Sequence, residues 1–396
     1  MNITYAHLGK IGIVLCGGGY KGLLQAIQLL VFMKWLEERG LKLSHITASS
    51  VGAYNAIALA ENPSYQGAQK LWRVWEEVLM LGEWFYVVHP ILEEKLKRFL
   101  PHSPFHRHGS WRELFDDCQN QLLNLMNFVC FVGRLFWTGT HVLFNGRLPA
   151  SSKKIGDVIN HFFGISSKAF FDPSPLLTIV RKRIDFQKVI DSPVELSIST
   201  LRFSNRKQVI FSNHDSGMHP DRIFQCVLAS AALYPFFEMV KIDNIEYEDG
   251  DIADPLPIEV AFHAQCDTVF VFLNTPARLE RTRGTLIEDL LEQAVVNNHK
   301  LLSEGLVKSQ RSAKTNGKNL FIFRPMTIHK DLGTLSITSP DAVEFHKIQD
   351  TQDVENYLGN IEKYNLRYLP DIEEYRADSN AYKNLDSDIQ RYLKNL

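Results

Sequence analysis

Hydrophobic and polar positions alternate in blocks along the first sixty residues. Ile11, Ile13, Val14 and Leu15 form a short apolar run that stops at Gly17-Gly18-Gly19. Such a run predicts a strand buried on both faces, as in a parallel sheet. From Gly22 to Glu38 the spacing becomes helical. Leu23, Ile27, Leu30 and Val31 share a face, Lys34, Glu37 and Glu38 gather near the end, and Gly40 stands where a helix cap is expected. Ile46-Thr47-Ala48 predicts a second short strand, and Ala53 to Ala60 the start of a second helix. This alternation argues for an α/β fold with a mainly parallel sheet covered on both faces.

Residues 65–170 break the rhythm, being rich in Trp, Phe and Leu with few strand signals, and they predict a mostly helical insertion. Strand patterns return at Val194 to Thr200, Gln208 to Ser212, Val240 to Ile242, Thr268 to Leu273 and Leu320 to Phe323. Helices are expected over 221–232, 285–309 and 352–365, and residues 340–396 are polar with scattered Tyr and Leu. The expected division is one domain over 8–330, carrying the 65–170 insertion as a helical cap, followed by a helical tail over 331–396.

Composition narrows the function. With 396 residues, 45% hydrophobic, and a formal net charge of −2, the chain has material for a large core and no charge excess suited to nucleic acid. Its five cysteines, Cys16, Cys118, Cys130, Cys226 and Cys266, are odd in number and widely spaced. A disulfide framework or zinc site is not expected, and a reducing compartment fits. The apolar run after Lys10 is too short for a signal peptide and leads into glycines.

Three segments can carry chemistry. Gly17-Gly18-Gly19-Tyr20-Lys21-Gly22 lies between a strand and a helix, where glycines let backbone N–H groups approach a reacting atom and the helix start adds partial positive charge. It can hold a phosphate or an oxyanion, but it lacks the Walker pattern and the acidic partner of a dinucleotide site. Ala48-Ser49-Ser50-Val51-Gly52 reads as a G-x-S-x-G nucleophile elbow with Ala in the first place. The alternative for Ser50 is an ordinary helix N-cap. Glu248-Asp249-Gly250-Asp251, with Asp254-Pro255-Leu256-Pro257 behind it, offers Asp249 as a base, or is merely an acidic turn. None of the 14 histidines sits in a recognisable motif; His214, His219 and His263 are in suitable stretches only.

Taken in order, these segments resemble the patatin-like phospholipase family, marked by a G-G-G-x-[KR]-G loop, a G-x-S-x-G elbow and a later D-G-[GA] motif. Phe171-Asp172-Pro173-Ser174-Pro175-Leu176 and Ala229-Ser230-Ala231-Ala232-Leu233-Tyr234-Pro235 are similar to two further family stretches. The resemblance implies a patatin-like α/β/α sandwich and a Ser–Asp dyad without histidine. Ser50 would be the nucleophile and Asp249 its base. The loop Gly17 to Gly22 would form the oxyanion hole through N–H groups around Gly18, Gly19 and Tyr20, with Ala48, Gly52 and Gly250 supporting. It further implies a phospholipase A or lysophospholipase acting on membrane phospholipids with no cofactor, cytoplasmic and peripherally membrane-associated. A protein activator, and delivery as a bacterial effector without a classical signal peptide, fit the same family. Two positions depart from the pattern: Ala48, and Asp251 in place of a small residue. An Asp251 pointing inward would raise the pKa of Asp249 and lower activity or make it depend on an activator. The rivals are an inactive scaffold that acts through partner binding and a soluble esterase for small acyl esters.

Leu122 to Phe144 contains one charged residue, Arg134, and is long enough to cross a bilayer. Asn124, Asn127, Gly133, Gly139 and His141 interrupt it, which favours a buried or membrane-facing cap over a span. Upstream, Lys95, Lys97, Arg98, Arg107 and Arg112 alternate with Phe99, Phe105 and Trp111, suited either to anionic headgroups or to a solvated face.

Overall fold

A computed structural model describes residues 5–81, 87–88, 169, 171–234, 236–275, 302, 305–325, 328, 332 and 340–364. Most of the cap expected over 65–170, with the apolar stretch and the basic segment inside it, lies outside these residues, as do most of the helix expected over 285–309 and residues 365–396.

The strands β1 (Ile11–Leu15), β2 (Leu43–Ala48), β5 (Glu195–Arg202), β9 (Thr268–Phe272) and β10 (Asn319–Phe323) run parallel in the order β10-β9-β1-β2-β5. A small antiparallel pair, β3 (Val87–Val88) with β4 (Phe171–Asp172), stands apart from this sheet. Three antiparallel strands extend the main sheet: β6 (Lys207–Ser212), β7 (Val240–Ile242) and β8 (Ile245–Asp249).

Period-two alternation in the parallel strands builds two cores. Ile11, Ile13, Leu15, Phe270, Phe272, Phe321 and Phe323 point to one face; Val14, Val269, Val271, Leu320 and Ile322 point to the other. The first face is covered by α1 (Gly22–Glu38), α2 (Val51–Glu61), α3 (Tyr65–Leu81), α4 (Ser174–Arg183), α5 (Phe186–Ile190) and α6 (Pro220–Ser230), with α8 (Pro340–Tyr364) packed on α1. The second carries α7 (Ile258–His263) and the helical residues 305–315. The architecture is the expected α/β/α sandwich. Among the described residues, no helix is long and apolar enough to cross a membrane.

Two elements differ from the sequence reading. The start of the expected insertion, α3, is core: Ala68, Leu71, Val74, Trp75 and Val78 are buried, and the helix packs on α1 and α2. The helix expected over 352–365 begins earlier, at Pro340. It carries a fully buried His346–Asp350 pair one turn apart, with Nδ1 3.0 Å from Oδ2, and is anchored to the sheet by Tyr357, whose hydroxyl accepts the Ile322 N–H of β10 at 3.1 Å.

One junction matters for chemistry. The first half of β5 pairs with β2, up to Ala48 opposite Ile198; the second half pairs with β8, from Asp249 opposite Thr200. Strand β6 pairs along Ser197 to Arg202, overlapping both, so it must hold the other edge of β5. Hence β2 and β8 run towards each other along one edge and both stop beside Ser199.

Candidate active site

Where β2 leaves the sheet, the backbone at Ser50 takes φ 51° and ψ −130°. A positive φ costs a residue with a β-carbon, and it persists only where the surroundings impose it. Those surroundings are visible. Ser50 N–H is shared between Ser230 Oγ at 3.0 Å and Ser230 O at 3.1 Å, and Ser230 Oγ in turn donates to Ser199 O at 2.7 Å. Gly52 in the first turn of α2 lies so close to β1 that a β-carbon would overlap Leu15 O. Ala48 is fully buried at the end of β2 and fills the first elbow position. Ser50 sits at the N-cap of α2 but makes no side-chain capping bond, so the plain N-cap alternative does not describe it.

Its hydroxyl donates instead to Asp249 Oδ2 at 2.8 Å. Asp249 ends β8 and is 3% exposed. Burial first, then the neighbouring Asp251 charge, push its carboxyl well above the ordinary carboxylate range; the Asp251 N–H and the Ser50 hydroxyl pull the other way. Gly250 follows, at a point where a β-carbon would overlap Ser199 O. Tyr54, one turn into α2, is also within reach of the Asp249 charge; burial and then that charge push its phenol upward.

The glycine loop closes the site from the β1 side. Gly17 abuts Ser50, with a hypothetical β-carbon 2.6 Å from Ser50 Cβ. Gly18 adopts φ 149°, and Gly19–Lys21 form a 3-10 turn leading into α1 at Gly22. Leading N–H groups of a helix lack intrahelical acceptors and carry partial positive charge, so this turn is suited to receive an oxyanion. Tyr20 is buried, its ring 6.4 Å from that of Trp75, and Lys21 lines a small pocket with Cys16, Gly18, Asp251 and Asn274.

Sequence reading missed the groups that fix this loop. Gln25 Nε2 donates to Cys16 O at 2.6 Å and Phe272 O at 3.0 Å; Asn274 Nδ2 donates to Cys16 O at 3.1 Å and Gly17 O at 3.0 Å. Asn55 Nδ2 donates to Gly22 O at 2.9 Å and Gln25 Oε1 at 3.0 Å, and Trp75 Nε1 donates to Asn55 Oδ1 at 2.9 Å. The signal was an amide inside an otherwise apolar helix face. The three histidines lie elsewhere: His214 contacts Ser192 O at 3.0 Å, His219 caps α6 and His263 ends α7. Among the described residues, no grouping of His, Cys, Asp and Glu has the makings of a metal site.

Residues 13–262 match the family model described as patatin-like phospholipase. Among crystal structures, the chain is similar to VipD from Legionella pneumophila at 15% identity, with 88% of this chain and 67% of that one covered and a TM-score of 0.33. It is also similar to the type III effector protein ExoU at 14% identity, over 89% of this chain and 53% of that one, with a TM-score of 0.30. The chain therefore spans about half the length of ExoU. No curated protein matches it.

Proposed function

The chain belongs to the patatin-like phospholipase family, and on that footing we propose that it hydrolyses acyl esters of membrane glycerophospholipids through a Ser50–Asp249 dyad. The observation that carries this reading is the Ser50 hydroxyl, raised on a positive-φ turn and hydrogen-bonded to Asp249 at 2.8 Å.

Ser50 Oγ attacks the ester carbonyl while its proton passes to Asp249. The carbonyl oxygen becomes an oxyanion received by N–H groups at the turn Gly18 to Tyr20, where one such donor contributes about 3 kcal/mol to transition-state stabilisation. Collapse expels the alcohol, which takes the proton from Asp249, and leaves an acyl-Ser50. Water, deprotonated by Asp249, then attacks the acyl carbon and releases fatty acid and free serine. A buried carboxylate with a raised proton affinity is a better base than a solvated one, provided that it is ionised when substrate arrives. Phospholipase A and lysophospholipase activities are the proposed classes. The chemistry needs no metal or organic cofactor, and the protein works from the membrane surface, with the part of the 65–170 segment that follows α3 as its cap on the 8–330 domain.

A second reading has its own support. Asp251 points inward, onto Gly17 and Ser49, which is the arrangement that weakens Asp249 as an ionised base. The enzyme is then slow alone, or active only with a cellular activator.

The test is fatty-acid release from mixed phospholipid vesicles, followed by mass spectrometry, with and without eukaryotic cell extract. Release by wild type that disappears in Ser50→Ala and Asp249→Asn supports the dyad. Release only with extract supports the activated form. No release from well-folded protein under any condition refutes the enzyme and leaves a scaffold that acts by binding partners.

A further inference from the structure

Two serines of the nucleophile turn meet two carboxylates of the acidic turn. Ser50 Oγ donates to Asp249 Oδ2, and one residue earlier Ser49 Oγ donates to Asp251 Oδ1. Access separates the two serines. Ser49 is fully buried, its N–H bonded to Leu15 O at 3.1 Å, whereas Ser50 is only half-buried. Ser49 is therefore shut away from any substrate, while its partner Asp251, half-buried on the wall of a small pocket, touches the glycine loop, the elbow and Asp249. A β-carbon at Gly17 would overlap Asp251 Oδ2, and the Gly17 backbone hydrogen-bonds the Asp251 carboxylate. The Asp251 backbone N–H donates to Asp249 Oδ1 at 2.8 Å.

Resting on the Ser50–Asp249 reading above, we propose that Asp251 is a positioning residue: with Ser49 it ties the glycine loop to the nucleophile turn, and its charge governs how readily Asp249 acts as base. The contacts explain the first half of this role. One carboxylate accepts from the loop and from the elbow at once, so neither can move without the other. The second half follows from proximity, since the anion of one buried carboxylate opposes ionisation of its neighbour. Burial pushes the Asp251 carboxyl up to about 6, against the pull of the Ser49 hydroxyl and the Gly17 N–H, with Asp254 adding to the rise. The other groups around it are Cys16 at the end of β1, which feels Asp251, Asp254 and Arg324, and Lys308 and Glu259, which act on Asp254. Lys21 lines the same pocket.

The test reads Ser50 directly. A long-chain alkyl fluorophosphonate labels an activated serine with loss of fluoride, and its rate is followed from acid to neutral pH in the full chain. Asp251→Asn preserves both contacts, because its amide oxygen can take the Gly17 N–H while its NH2 donates to Ser49 Oγ, but it carries no charge. Its acid limb is expected to move to lower pH by about one to two units. Asp251→Ala loses the tie as well, and its plateau rate falls roughly 10- to 100-fold. Ser49→Ala keeps the carboxyl but loses the hydroxyl that holds its pKa down, so its limb moves less than that of Asp251→Asn while the plateau falls. A role in folding alone would lower all plateaus without moving a limb. An Asp251→Asn limb superimposed on wild type overturns this inference and leaves the dyad intact, whereas no wild-type labelling at any pH, with or without cell extract, overturns both. If Asp251→Ala does not fold, the near-isosteric Asp251→Asn carries the test.

Discussion

Asn55→Ala removes the centre of the buried polar cluster behind the glycine loop. Asn55, Gln25 and Trp75 are 1%, 0% and 4% exposed, so water cannot replace what is lost. The truncation strands two groups: the Trp75 Nε1–H, whose acceptor is Asn55 Oδ1, and Gln25 Oε1, whose donor is Asn55 Nδ2. Gly22 O loses one donor but remains within α1. Each stranded buried group costs about 1–3 kcal/mol, so the variant should lose about 2–6 kcal/mol. At about 2–4 °C per kcal/mol for a domain of this size class, the thermal midpoint falls by roughly 5–20 °C. Urea unfolding followed by tryptophan fluorescence and circular dichroism measures the loss. Trp75→Phe strands only Asn55 Oδ1 and should cost about 1–3 kcal/mol. The double variant must then cost less than the sum of the singles, because the orphaned indole N–H of Asn55→Ala no longer exists in it. A cost below about 1 kcal/mol for Asn55→Ala, or strict additivity, would refute the idea that these amides form one satisfied network.

Three further outcomes follow from other parts of the molecule. Ser230→Ala leaves Ser50 N–H its carbonyl acceptor but deprives Ser199 O of its 2.7 Å donor; stability should fall by about 1–2 kcal/mol, and kcat for vesicle hydrolysis should fall at nearly constant KM as the strained turn loosens. His45 lies 3.4 Å from Glu195, yet burial prevails and holds its imidazole down at about 4. A folded-state value below the unfolded one means that its contribution is complete above about pH 6.5 and is lost as pH falls towards 4. Unfolding free energies of wild type and His45→Gln should therefore differ in pH dependence by up to about 3 kcal/mol, and parallel curves would exclude this. Cys16, Cys226 and Cys266 are free and buried, and burial raises all three thiols, to about 12 and about 11 for the latter two. They should resist Ellman's reagent in the native protein and react on denaturation; fast native reaction of any of them, located by peptide mapping, would contradict the packing.

The parallel half of the fold was legible because its signals are local. A run of four apolar residues ending in glycines gave β1, and Gly40, at φ 63°, closes α1 where a cap was expected. Strand β8 was not seen, because Ile-Glu-Tyr-Glu-Asp carries three acidic residues. Its buried end holds Glu248, in an ion pair with Arg206, and Asp249, which only the folded site makes tolerable. Helix α3 was hidden by composition: the aromatic residues that mark the following segment also occur on α3, where Trp75 is core. The catalytic candidates were legible as motifs, but Gln25, Asn55, Ser230 and Asn274 gained their roles only from partners far away in sequence. The inward direction of Asp251 likewise depends on Gly17 being free of a side chain, which no spacing rule expresses.

The layout of the sheet explains why serine and carboxylate meet at all. A parallel strand and an antiparallel strand normally occupy different edges of a neighbour, yet β2 and β8 divide a single edge of β5 and arrive from opposite directions. Each must leave the sheet at Ser199, because the other blocks its continuation. The two exits are the Ser49-Ser50 turn and the Gly250-Asp251 turn, so both turns project side chains into the same few ångströms. Ser199 O, at the meeting point, accepts from Ser230 and lies where a side chain at Gly250 would collide. The meeting of Ser50 and Asp249 is thus a consequence of strand register: Ala48 opposite Ile198 and Asp249 opposite Thr200 fix their separation before any side-chain packing is considered. A one-residue slip of β8 would turn Asp249 to the other face of the sheet.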